Sequence, residues 1–123
     1  MAKMKEQMMK LAEVCAKEVG AGPSDLQLIH EGKSPTTKEG KCFMFCMHKS
    51  IGFQDDSGKM NPTNIYNWAD TLMDLDADYG SKMKDIATKC IDIIDDSGDK
   101  CDVATDIFKC YMEKCKAAGI EMP

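Results

Sequence analysis

No stretch of the chain approaches the roughly 18 apolar residues of a membrane span. Nowhere are Lys and Arg gathered into a basic block. The balance runs the other way, 16 Lys and Arg against 21 Asp and Glu for a net charge of −5. That sign removes the electrostatic footprint that nucleic acid or an anionic membrane surface requires. Strand signals are nearly absent, and repeats, low-complexity stretches and linkers are missing. The opening MAKMKEQMMK lacks the apolar stretch of a secretory leader, so no signal peptide is expected. Catalytic fingerprints are lacking too: there are two histidines, and no G-x-S-x-G, P-loop or dinucleotide motif. With 123 residues the chain predicts one domain, 1–123, with a modest core, which excludes a multi-domain enzyme. Disorder is excluded as well, because 43% of residues are hydrophobic and they recur with a period.

Cysteine is what the chain has in excess, with seven at Cys15, Cys42, Cys46, Cys90, Cys101, Cys110 and Cys115. Scattered rather than clustered, they read as a disulfide framework from an oxidising compartment. The expectation is a mature secreted form whose Met1 comes from a recombinant start codon. The odd count leaves one thiol over, and spacing alone leaves roughly a hundred pairing schemes open.

Helix signals follow one another. Met4, Met8, Leu11, Cys15 and Val19 form one stripe on a helix from Ala2 to about Val19, which Gly20-Ala21-Gly22-Pro23 stops. Ser24 is a candidate cap for a short helix from Asp25 to His30, ended by Gly32. Thr36-x-x-Glu39 resembles a capping box opening a third helix, Thr37 to about Ser50. This helix is apolar nearly all round, as for a buried central helix. A solvated loop at residues 55–59 precedes Asn61-Pro62, which opens a helix to about Leu75 with Ile65, Ala69, Leu72 and Met73 inward and Trp68 on its flank. A fifth helix is expected from about Ser81 to Ile94, with Met83, Ile86, Ala87, Cys90, Ile91 and Ile94 inward. Asp99 caps a sixth, about Lys100 to Ala118, which ends at Gly119. The predicted fold class is all-α, a compact bundle of about six helices.

Several constellations invite chemistry and are better read plainly. Cys42 and Cys46, four apart on a helix beside His48, suggest a metal site, but structural zinc wants two short-spaced ligand pairs. The plainer reading is one helix tied to two others, with no metal and no cofactor. Residues 74–80 alternate Asp like a calcium loop, yet counting from Asp74 the turn glycine falls at position 7 instead of 6. They read as a solvated loop between helices. The helical disulfide-rich phospholipases place a His-Asp dipeptide beside paired cysteines. Here Lys49 follows His48, which therefore reads as a surface histidine near a helix end, and no enzymatic activity is expected. Eleven methionines, most at apolar helical positions, suit a wall that adapts to several guests better than a jigsaw core.

Taken whole, Cys15-x26-Cys42-x3-Cys46-x43-Cys90-x10-Cys101-x8-Cys110 resembles the signature of the insect odorant-binding and pheromone-binding proteins. The resemblance implies the interlocked pairs Cys15–Cys46, Cys42–Cys101 and Cys90–Cys110 around an internal apolar cavity. It implies a secreted, extracellular carrier of a small apolar odorant, pheromone or lipid, moving through fluid towards an olfactory receptor. Same-fold scavengers of hormones, lipids or defensive compounds are the alternative, and a cavity-free secreted interaction protein is a third. By position relative to the cysteines, Ser50 and Tyr111 match places where the family puts pocket groups. Met8, Leu11, Ile65, Ala69, Leu72, Met83, Ala87, Ala104, Ile107 and Phe108 face inward on helical wheels and complete the expected ligand-binding set. Cys115 lies outside the pattern and is expected as a buried thiol, an exposed thiol or the bridge of a homodimer. Moth pheromone carriers fold a longer tail into the cavity in acid, whereas this tail is short. Ile120 and Met122 would at most cover a pocket mouth, and pH dependence through His30, His48 or carboxylates is expected to be weak.

Overall fold

Capping side chains fix where the helices begin. In a computed structural model describing residues 2–120, they are α1 (Ala2–Val19), α2 (Pro23–His30), α3 (Lys38–Ser50), α4 (Pro62–Leu75), α5 (Ala77–Ile93) and α6 (Lys100–Ala118). Asn61 caps α4 by accepting from Asn64 N at 3.1 Å, and Asp99 caps α6 by accepting from Cys101 N and Asp102 N. Gly119 ends α6 at φ 71°, a left-handed turn that favours glycine. No strand forms among the described residues, which hold one antiparallel bridge, between Gln54 and Met60. No described helix is long and apolar enough to cross a membrane.

Three local expectations shift. Helix α2 starts two residues early, because Pro23 suits the first helical position and Gly22 N donates to Asp25 Oδ2 at 3.2 Å. Thr37, not Thr36, caps α3, accepting from Gly40 N at 3.0 Å while its hydroxyl donates to the buried Asp25 carboxylate at 2.6 Å. The expected loop at residues 74–80 shrinks to Asp76, which accepts from Tyr79 N and starts α5 at Ala77. Gly80 allows this tight hairpin, since a Cβ there would run into the Met73 backbone.

The bridges are Cys15–Cys46, Cys42–Cys101 and Cys90–Cys110, with Cα separations of 5.7, 4.6 and 5.9 Å. They interlock, because Cys42 lies inside the first loop and Cys90 inside the second. Close backbone approaches run in series: α1 and α2 against α3, α3 against α6, α6 against α5, and α5 against α4. Among the described residues α1 approaches no helix closely except α3. Two adjoining stripes of α6 enter different clusters. Cys101, Ala104 and Phe108 join the cluster built on Cys15, Phe43, Met44 and Phe45. Val103, Ile107, Cys110, Tyr111 and Cys115 join the cluster built on α4 and α5.

Candidate functional site

The α6 stripe facing α4 and α5 gathers half of the expected ligand-binding residues. Ile65, Leu72, Met83, Ala87, Ile107 and Tyr111 pack in one cluster, and Met4, Tyr66 and Ile120 lie against it half-buried. Ala104 and Phe108, with Leu11 at the edge, belong to the second cluster. Ala69 is fully buried on α4. Met8 is half-buried on the open half of α1, and Ser50 is exposed at the last position of α3, away from the interior. Of the tail, Ile120 packs on the Tyr111 cluster, tied by its N–H to Cys115 O at 3.0 Å, while Met122 lies outside the described residues.

Tyr111 is the chemical centre of this cluster. Its side chain is 3% exposed, and its hydroxyl is buried without a hydrogen-bond partner. Leaving such a hydroxyl unpaired costs about 1–3 kcal/mol. Burial pushes its pKa well above the usual phenol range, and the charges that Cys115 and Tyr66 would carry push the same way. One turn on, the Cys115 thiol donates to Met83 Sδ across 3.8 Å. Cys115 is buried and free, and burial raises its pKa, so of the three expectations for it the buried thiol holds. The arrangement offers one unused O–H donor set in soft, apolar walls. It holds no paired acid and base.

The sequence did not point to two buried polar groups. His48, expected at the surface, is 6% exposed and lies near-parallel to Phe53, ring centroids 6.0 Å apart. It is buried because it follows Met44 and Phe45 by four and three residues and so shares the inward face of α3 with them. Gln54 donates through Nε2 to Gly58 O (2.9 Å) and Lys100 O (3.3 Å), leaving Oε1 to accept from His48 Nδ1 at 3.1 Å. This assigns the ring proton to Nδ1. Burial lowers the His48 pKa to about 4, against a smaller upward pull from Gln54. A glutamine between Phe53 and Asp55 carries no sequence signal for such a role.

The Cys15 and Cys46 sulfurs and the Glu18 carboxylate lie within ligating distance of one another, but sulfurs joined in a bridge offer no thiolate to a metal. Two surface depressions run along the α5–α6 seam, of about 350 Å³ and 260 Å³. None of the twelve expected ligand-binding residues lines either.

Comparison with known proteins adds the ancestry. Residues 1–114 match the PBP/GOBP family. General odorant-binding protein 19d of Drosophila melanogaster is 28% identical over 113 residues, which is 92% of this chain and 75% of that protein. The solved structure of odorant-binding protein dmelOBP28a from Drosophila melanogaster superposes with a TM-score of 0.79 at 28% identity, covering 97% of this chain and 98% of that one. Odorant Binding Protein 7 from Anopheles gambiae, with four disulfide bridges and in complex with an azo compound, has the same fold at a TM-score of 0.73 and 24% identity, covering 94% and 89%.

Proposed function

Because the chain belongs to the PBP/GOBP family, we propose that it is a secreted carrier that takes small hydrophobic molecules into its interior and moves them through aqueous fluid, odorants or pheromones towards a receptor among them. The site is the cluster of Ile65, Leu72, Met83, Ile107 and Tyr111, roofed by Met4 of α1 and by Ile120. The orphaned Tyr111 hydroxyl carries this reading. An unpaired buried donor is a standing cost, which a guest bearing a carbonyl, ester or ether oxygen removes. Methionine side chains yield space readily, so a guest enters by displacing Met4 and reshaping the walls around Met83. In the Anopheles protein of this fold the occupant is an azo compound.

Burial supplies the affinity. At about 0.8 kcal/mol per CH₂, ten carbons give about 8 kcal/mol gross. The costs of association then bring the net to micromolar binding. Discrimination among guests of similar size falls to the single donor.

The test is displacement of an apolar fluorescent probe by a long-chain ketone and by a hydrocarbon of equal length, in wild type and Tyr111→Phe. The variant is expected to weaken the ketone about fivefold, the worth of one neutral hydrogen bond, and to leave the hydrocarbon unchanged. Equal ketone affinity in both proteins removes Tyr111 from the site, and a probe that never binds removes the carrier reading.

A further inference from the structure

We infer that the α5–α6 groove is a second, external binding site, for anionic amphiphiles with a carboxylate head and an alkyl tail. Its larger end encloses about 350 Å³, within the usual range of small-molecule sites. Ile86, Ala117 and Ala118 supply its apolar lining, and Lys82, Lys89 and Lys114 stand round it with one acidic residue, Asp85. Lys82 and Lys89 are seven apart on α5 and so share a face, while Lys114 reaches in from α6.

The three ammonium groups are available. Lys82 pairs with Asp78 at 3.2 Å and Lys89 with Asp85 at 3.0 Å, both in exposed pairs that hold their partners weakly. Lys114 makes no ion pair among the described residues. A carboxylate at this end therefore meets three cations against the single carboxylate of Asp85, and competes with two exposed pairs.

The groove also has a direction. Lys114 borders both depressions, which lie side by side along the seam. The second depression is lined by Ile93 and Ile94 and carries Asp95, Asp106 and Glu113 against Lys109 and the shared Lys114. Charge grades from cationic to acidic over an apolar floor, which draws an anionic head to the lysine end and repels it from the other. The tail then lies from Ile86 towards Ile93, about 10 Å along α5, and covers an Ile93 that is otherwise 68% exposed. The groove shares Ile86 and Cys110 with the Tyr111 cluster but none of its charged rim, so loss of the lysines tests the groove without touching the interior site.

Amide shifts of the ¹⁵N-labelled full chain, titrated with decanoate and with decan-1-ol, locate both sites at once. Decanoate is expected to move the amides around Lys82, Lys89, Lys114 and Ala117, weakly at high salt, and decan-1-ol to leave them still. Lys82→Gln/Lys89→Gln/Lys114→Gln changes two exposed side chains and the half-buried Lys114, and no member of the buried clusters. It should lose about tenfold in decanoate affinity at the groove, as three surface charge contacts imply, and keep wild-type displacement of the interior probe. Groove amides that ignore decanoate, that respond equally to decan-1-ol, or that titrate unchanged in the variant overturn the proposal.

Discussion

Acidification between pH 6.5 and 4 should destabilise this fold through a single histidine. His48 is neutral in the folded state, with its Nδ1 proton held by Gln54 and its pKa lowered from 6.5 to about 4 by burial. In the unfolded chain the same ring takes up a proton near pH 6.5. Between these values the unfolded state binds more protons than the folded one, so stability is intact above pH 6.5 and drains away as pH falls. Each pKa unit is worth about 1.4 kcal/mol, so the full drop costs about 3 kcal/mol by pH 4. That is a large share of the stability of a small domain. Urea denaturation of the oxidised protein at intervals from pH 7.5 to 4, beside His48→Gln, measures it. Carboxylates titrate alike in both proteins, so the difference between the two stability curves isolates the ring. The expected difference shrinks by about 3 kcal/mol across the window. Parallel curves, or an NMR titration placing His48 near 6.5, would refute the reasoning.

Tyr111→Phe should raise the stability of the ligand-free protein by about 1 kcal/mol, because it deletes a buried hydroxyl without a partner; a denaturation midpoint at or below wild type contradicts this. Gly80→Ala should lose at least about 3 kcal/mol in the same assay, because its new Cβ meets Met73 backbone instead of a yielding side chain. Cys115 should resist a thiol reagent in the native protein and react once in denaturant, and non-reducing gels should show no dimer bridged through it.

Periodicity and caps made the helices legible, since each of the six carries an apolar stripe and most begin at a side chain able to accept a backbone N–H. Residues 74–80 misled because Asp and Gly there look like a loop, while tertiary packing uses Gly80 as a point of contact and Asp76 as a cap. The sulfur pairing came from resemblance to a family, since spacing left many schemes open. Within the interior, helical wheels told which side chains face in, but not which face of α6 each one meets. That is why Ala104 and Phe108 part from Ile107 and Tyr111. Ser50 was assigned by its distance from Cys46 along the chain, and the last turn of α3 points it outward. Gln54 stayed invisible because its partners, Gly58 and Lys100, are backbone carbonyls.

The cross-links also divide the molecule into a locked part and a hinged one. Every bridge begins at Cys15 or later, and among the described residues α1 approaches no helix closely except α3. Fraying of the segment before Cys15 gives up the packing of Met4 on the Tyr111 cluster and strains no sulfur. Under the carrier function proposed above, the melting of a helix end, a nanosecond-to-microsecond event, would open the interior while the oxidised frame behind it stays cross-linked.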